Sequence, residues 1–464
     1  MSAQAKFLDG NLFKHISVMA FTASVGLMAV FVVDLVDMIF ISMLGNAALA
    51  AAVGYAGAIL FFTSSFGIGM AIASGALVAR ALGEDNDVLA KERSTTAMIY
   101  GVLFGTLFSA LVWVNIPLLV SLIGAKDETL KLATGYLQII VPSLPFLLVG
   151  MTGGAILRAH GDARRSMFAT VAGGLVNAIL DPILIFGLNL DLTGAALASV
   201  AARITIAAVA LVPIVRHHGG FIRPTRRHMM RDFAPLATIA FPAILTSLAT
   251  PLGQAYVTRS MAEFGEAAVA GMAMVGRITP VAFGILFALS GAIGPIIGQN
   301  FGAHKMDRVA QSYRDGLIFT ALVVIAVSAL LYVMRAPLAD LFQAQGTARD
   351  LVYLFCGPLA LLFFFNGQIF VANAAFNNLG HPFYSTWINW GRHTVGTISF
   401  VWLLSGVMGP QGVLIGQALG GVVFGILAWI IGHRVIATAQ AETGVTPEPF
   451  QRQARLHSLF HMRK

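Results

Sequence analysis

Gly45-Asn46-Ala47-Ala48-Leu49-Ala50 and Gly265-Glu266-Ala267-Ala268-Val269-Ala270 are two versions of one segment, 220 positions apart in a chain of 464 residues. Each follows a long apolar run and opens another, so each reads as a tight turn between helices. The spacing returns elsewhere. Gly161 pairs with Gly380 at 219, and Leu192-Thr193-Gly194-Ala195 pairs with Pro410-Gln411-Gly412-Val413 at 218. Hydropathy alone does not produce similar offsets at three separated places, so the chain is read as a duplicated unit.

Composition says what the unit is made of. The chain is 57% hydrophobic and 11% charged, against about 25% charged in a soluble domain. A spanning helix needs about 20 mostly apolar residues, because the hydrocarbon core is about 30 Å thick and each residue rises about 1.5 Å. Runs 94–125, 132–157, 233–258 and 278–304 meet that length. Longer runs, 38–79, 351–391 and 393–433, carry turn signals: Gly45-Asn46, Asn377-Asn378-Leu379-Gly380-His381-Pro382, and Gly406 to Gly412 around Pro410. Dividing them predicts helices near 16–43, 48–78, 95–123, 132–157, 167–188, 194–215, 233–260, 267–298, 315–334, 351–376, 384–405 and 412–433. The expected fold is an all-α membrane protein with twelve transmembrane helices in two pseudo-symmetric six-helix bundles. Six helices per half make the repeats parallel, and such folds place the substrate between the halves near the bilayer midplane.

The net charge of +8 does not point to nucleic acid, because the basic residues sit between apolar segments. Lys6 and Lys14, Arg80 to Arg93, Arg158 to Arg165, Arg216 to Arg231, Lys305 to Arg314 and the C-terminal tail all fall on one side and hold most of the 29 Lys+Arg. Lys126, Lys131, Arg259, Arg335 and Arg349 fall on the other, while Arg203, Arg277 and Arg392 lie within helices. Positive loops face the cytoplasm, so both termini are expected there, in a multi-pass protein of the cell inner membrane. The domains then read as an N-terminal lobe 1–215, a basic cytoplasmic linker 216–232, a C-terminal lobe 233–433 and a cytoplasmic tail 434–464. In that tail, the basic and apolar residues of 450–464 suit either the anionic leaflet surface or a disordered extension. The first apolar stretch has no small-residue cleavage site behind a short core, so it is read as a helix and not a removed signal. The single cysteine, Cys356, excludes an intramolecular disulfide framework.

Three carboxylates lie inside predicted helices: Asp34 and Asp37 in the first, Asp181 in the fifth. A charge at bilayer depth costs about 2.5–3.5 kcal/mol on insertion scales and normally faces the bundle interior or a water-filled cavity. Asp34 and Asp37 share one helical face, and Asn177 and Asp181 share another. Pro182 follows directly; it lacks an N–H and can free a carbonyl beside the acid. A polar cluster between helices one and five follows, able to bind and release a cation as its exposure to water changes. The alternative is that Asp181 only accepts hydrogen bonds and Arg203 neutralises one acid. The C-terminal half is expected to hold no buried carboxylate. Gln254, Tyr256, Asn366 and Gln368 are its candidate cavity residues, although polar side chains also simply bond between helices.

Leu35-Val36-Asp37-Met38-Ile39-Phe40 before Leu44-Gly45 resembles the first-helix signature of multidrug and toxic compound extrusion (MATE) transporters. Asn177-Ala178-Ile179-Leu180-Asp181-Pro182-Ile183-Leu184-Ile185-Phe186-Gly187 is similar to that family's fifth-helix motif, and Gly298-Gln299-Asn300-Phe301-Gly302-Ala303 to the pattern after its eighth helix. The resemblance implies an antiporter expelling lipophilic, often cationic small molecules against H⁺ or Na⁺ by alternating access, with no organic cofactor and as a functional monomer. In the DinF-like branch it implies an ion site at Asp37, Asn177, Asp181 and Ser199; Asp34 is a candidate from its position alone. Na⁺, if used, would sit at Asp37, Asn177 and Asp181, while the branch favours H⁺. The seventh and tenth helices show Gln254 and Asn366 where another branch carries acids, which also points to the DinF-like branch.

Two other classes differ in what they require. A flippase for a lipid-linked saccharide predicts a cationic cavity, so the placement of Arg203, Arg277 and Arg392 discriminates. An enzyme would need a nucleophile–base pair or a histidine metal site at membrane depth. Most of the 11 histidines fall in loops or tails, and His393 stands alone in its helix, so catalysis is not expected. Nor is an ATPase domain, since no phosphate-binding loop is present.

Overall fold

The computed structural model describes residues 5–441, and the basic tail segment 450–464 lies outside them. No strand occurs among the described residues. The helices are α1 Leu12–Met43, α2 Ala47–Gly83, α3 Asp87–Leu122, α4 Asp127–Ala159, α5 Ala163–Gly187, α6 Asp191–His217 and α7 Arg226–Ala262. Then come α8 in two pieces (Glu266–Ala282 and Gly284–Gly302), α9 Met306–Leu341 and α10 Gly346–Asn378. The last helical run, Pro382–Ala441, has 60 residues, about 90 Å at the helical rise and about three times the hydrocarbon thickness. It breaks at Gly409, whose φ of 59° and ψ of −138° are not helical. The run is therefore two crossings, α11 (382–408) and α12 (410–441). Twelve transmembrane helices result, and large apolar side chains such as Val114, Val333, Trp402 and Val407 stand exposed on them. That is the surface of a multi-pass membrane protein.

The helices start earlier than the apolar windows do. α3 begins at Asp87 and not near 95, α7 at Arg226 and not near 233, α9 at Met306 and not near 315. Hydropathy sees only the lipid-length part, whereas caps hold polar first turns outside it. The Asn86 carboxamide oxygen, for instance, accepts from the Leu89 amide at 3.0 Å.

Duplication is written into the backbone. Gly45 and Gly265 both take positive φ, as do Gly161 and Gly380, Asp85 and His304, and Asp127 and Gly346. The left-handed conformation is costly for non-glycine residues, so its recurrence at one spacing marks equivalent turns.

The chain divides into two compact units, one built on Val25–Ala240, the other on Phe7–Ser24 and the chain from Phe241 on. The boundaries fall inside α1 and α7, so the first half of each of these helices packs with the other repeat. In the first unit, the Asp232 carboxylate accepts from the Thr96 hydroxyl at 3.0 Å, Tyr100 donates to the Met229 carbonyl at 2.8 Å, and Arg231 pairs with Glu92 at 2.7 Å. In the second, the motif ending α8 holds the chain start. The Phe7 amide donates to Gln299 at 2.9 Å, and Asn300 and Arg308 each donate to the Phe7 carbonyl at 3.1 Å.

One expectation fails here. The C-terminal half does hold a buried carboxylate, Asp315 on α9, beside Gln311 and Arg314. It lies in the first turns of a helix that continues beyond its apolar window, where a count by hydropathy assigns it to a helix end.

Candidate functional site

Close approach of α1 and α5 comes first. A Cβ at Gly26 would stand 3.5 Å from the Met167 backbone, and one at Gly174 would stand 3.1 Å from Val33. Two glycines thus let the helices touch, and Phe40 meets Phe186 edge to face further along. Immediately after Pro182, α5 widens into a π turn over Ile183–Gly187. A proline cannot donate to the preceding turn, and π turns recur at functional positions.

Asp37 and Asp181 meet across this contact, their carboxyls within hydrogen-bonding reach of each other. Asp181 is fully buried. Its Oδ2 accepts from Asn177 Nδ2 at 2.9 Å. One buried oxygen on each acid, Oδ1 of Asp37 and Oδ1 of Asp181, receives no hydrogen bond from a donor. Ionised carboxylates only accept, and two in contact cannot both stay ionised without compensation. The pair is therefore built to share a proton or to hold a cation.

Ser199 on α6 reaches the pair through an aromatic side chain. Its hydroxyl lies beside the buried phenol of Tyr136 on α4, which Asp37, Asp181 and Arg203 also surround. Sequence reading passed over Tyr136, yet a lone tyrosine in the run 132–157 carries a signal, since a buried phenol seeks a partner. Arg203 does not neutralise either acid. Its Nη1 donates to the Ile140 carbonyl at 3.3 Å and to Ser143 Oγ at 3.0 Å. The 3₁₀ turn Val141–Ser143 interrupts α4 there, and the Ser143 hydroxyl donates to the same carbonyl at 2.6 Å. Asp34, one turn before Asp37, is exposed and makes no hydrogen bond or ion pair among the described residues.

In the second unit, two of the four candidates enter two separate polar contacts. Gln254 Oε1 accepts from Gln417 of α12 at 3.2 Å. Asn366 Oδ1 accepts from Arg392 Nη1 at 2.7 Å, and Arg392 Nη2 donates to His393 Nε2 at 2.8 Å. Gly253 abuts the His393 ring, and Gly421, one turn beyond Gln417, abuts the Asn366 side chain. Tyr256 is half-buried outside both. Gln368 is buried with its Oε1 unpartnered, and residues two apart on a helix face different ways. Arg277 stands exposed on α8. Among the described residues, no group of three or more His, Cys, Asp or Glu is placed to hold a metal ion.

This architecture has relatives. A FAD transporter of Shewanella oneidensis is 28% identical, covering 91% of this chain and 94% of its own length. A multidrug export protein, MepA, of Staphylococcus haemolyticus is 22% identical over 92% of this chain and 94% of its own. The crystal structure of a mutant of the Vibrio cholerae MATE transporter VcmN overlays with a TM-score of 0.88 at 23% identity, covering 92% of this chain and 97% of that one. The MatE family model matches twice, over 23–183 and 242–403, once in each repeat. The chain belongs to the MatE family, whose members are transporters and not enzymes.

Proposed function

We propose that the protein is a cation-coupled antiporter that exports lipophilic small molecules, with H⁺ ahead of Na⁺ as the coupling ion and the Asp37–Asp181 pair as the coupling site. One observation carries the reading: two contacting acids, each with a buried oxygen that no donor reaches. A bound proton or cation removes the repulsion; its release in a water-filled state restores it. That differential is what alternating access needs, because an ion shifts an equilibrium only by preferring one state. Asn177 completes the site, and Ser199 supports it through Tyr136. Asp34, exposed one turn before Asp37, is the accessory acid of the proposed site. The charge pattern supports an inner-membrane protein with both termini cytoplasmic and a linker at 216–232 between lobes 1–215 and 233–433, with a tail 434–464; that it works as a monomer is part of the proposal.

Relatives named as multidrug export proteins support lipophilic, often cationic cargo, and the one named FAD transporter supports a dinucleotide. A saccharide-lipid flippase calls for a cationic cavity. Arg203, turned to Ile140 and Ser143, and Arg277, exposed on α8, speak against it, whereas Arg392, which has no acidic partner among the described residues, is the one cation that favours it. Counterflow in proteoliposomes, with a fluorescent lipophilic cation and separate proton and sodium gradients, tests the proposal. Transport driven by one gradient and lost in Asp37→Asn and Asp181→Asn is expected. Full gradient-driven transport in both variants would remove the coupling assignment.

A further inference from the structure

The second unit carries a cation with no counter-charge. Arg392 sits near the middle of α11, about 15 Å along from Pro382 at the helical rise, half-buried among α10, α11 and α12. No ion pair reaches it among the described residues, and its two partners are a neutral amide and an imidazole. A guanidinium offers five N–H donors; Asn366 and His393 take one each, so three have no partner. Because arginine only donates, His393 must accept at Nε2, which places its ring proton on Nδ1. Both partners therefore use acceptor atoms to fix the plane of the guanidinium and leave its remaining donors free. An uncompensated arginine at this depth costs several kcal/mol and marks a substrate or ion path. Snorkelling toward an interface is not what the side chain does, since it folds inward onto Asn366.

We propose that Arg392, oriented by Asn366 and His393, is the anchor for an oxyanion on the transported molecule: a phosphate, sulfonate or carboxylate attached to an aromatic or apolar body. Organic anions are thereby added to the cargo that the exporter reading allows. This rests on the exporter reading for its meaning, but not for its test. Planar guanidinium recognises oxyanions through parallel N–H donors. The first unit supplies acids and this one supplies the opposite charge, so coupling ion and cargo occupy chemically distinct places.

Equilibrium binding to the purified full chain in phosphatidylcholine nanodiscs, with no gradient, tests the site directly. The probes are 1-naphthyl phosphate, neutral 1-naphthol, cationic 1-naphthylmethylamine and inorganic phosphate. Naphthyl phosphate is expected to bind at least about tenfold more tightly than the other three, the size of one charge-assisted bond pair. Arg392→Gln should abolish that preference. Asn366→Asp, which sets a carboxylate on the guanidinium and adds no volume, should abolish it too, so the result does not hang on one variant's folding. Arg392→Lys should keep part of it. Unchanged preference in folded Arg392→Gln or Asn366→Asp overturns the anchor. Tighter binding of the amine overturns the substrate class, and equal binding of inorganic phosphate overturns the organic cargo. If added phosphatidylglycerol competes the probe away, the occupant is a lipid headgroup and the cargo assignment falls. Failed transport with this binding intact would remove the exporter reading and leave the site.

Discussion

Asn177 Nδ2 donates to Asp181 Oδ2 at 2.9 Å, one helical turn away on α5, and is the donor that holds the buried acid in place. Without it, both oxygens of Asp181 would lack a donor, since Oδ1 already has none. Leaving a buried polar group unpaired costs about 1–3 kcal/mol. Asn177→Ala is therefore expected to lower gradient-driven transport by on the order of tenfold while the protein still folds. Initial rates in proteoliposomes, beside thermal unfolding of the same preparation, check this; a wild-type rate would detach Asn177 from the site.

Gly194 and Gly412, which the repeat aligns, carry the same packing constraint. A Cβ on Gly194 would stand 2.7 Å from the Leu184 backbone, in the π turn that follows Pro182, and one on Gly412 would meet the Leu404 carbonyl. Backbone cannot step aside as a side chain can. Gly194→Ala and Gly412→Ala should each destabilise by about 1–3 kcal/mol, the usual cost of overpacking. Unfolding midpoints in detergent measure it, with Gly54→Ala as control, where nothing stands within 4 Å.

Why some of this was legible in the sequence and some was not has a physical explanation. Turn chemistry and apolar length are local, so Gly45-Asn46, Gly380 and Pro410 announced the twelve helices before any packing was known. Asp37 and Asp181 were conspicuous because a carboxylate in an apolar run has few innocent explanations. Arg203 was equally conspicuous, but its partners were not, because they lie 60 and 63 residues away where α4 is interrupted. Arg392 meets Asn366 from another helix, as Gln254 meets Gln417, and no spacing in the chain encodes either meeting. Asp315 was misjudged for a third reason: burial extends past the apolar window wherever a helix does.

Arg308 ties the start of the chain to α9. Its Nη2 donates to the Phe7 and Gly10 carbonyls at 3.1 and 3.3 Å, and its Nε donates to Asn300 Oδ1 at 3.0 Å. Charge-assisted bonds contribute about 1.5–3 kcal/mol, so Arg308→Ala should speed amide exchange over residues 7–15 by at least about tenfold. Arg314→Ala, whose side chain is 72% exposed, should leave exchange there unchanged. Exchange followed by mass spectrometry separates the two, and equal behaviour would mean that Gln299 and Asn300 hold the segment without help.

His160, one residue beyond α4, gives the fold a pH dependence of definite sign. Burial pushes its imidazole down to about 4, outweighing the hydrogen bond to the Ile156 carbonyl and opposed only weakly by its acidic neighbours. An unfolded histidine titrates near about 6.5. Below that pH the unfolded chain takes up a proton that the folded chain refuses until about 4. Stability is thus full above about 6.5 and declines as pH falls between these values. Its neighbour Asp162 does not share that window. Burial pushes that carboxyl up, but the bonds from His218 and Arg165 outweigh it and hold it below the ordinary carboxylate range. Its contribution is present above about 3.8, the ordinary value, and is lost only at lower pH. Unfolding midpoints of the parent should therefore fall by the equivalent of on the order of 2 kcal/mol between pH 6.5 and 4, and His160→Gln should flatten that slope. A variant that keeps the full slope would assign the proton uptake to another group.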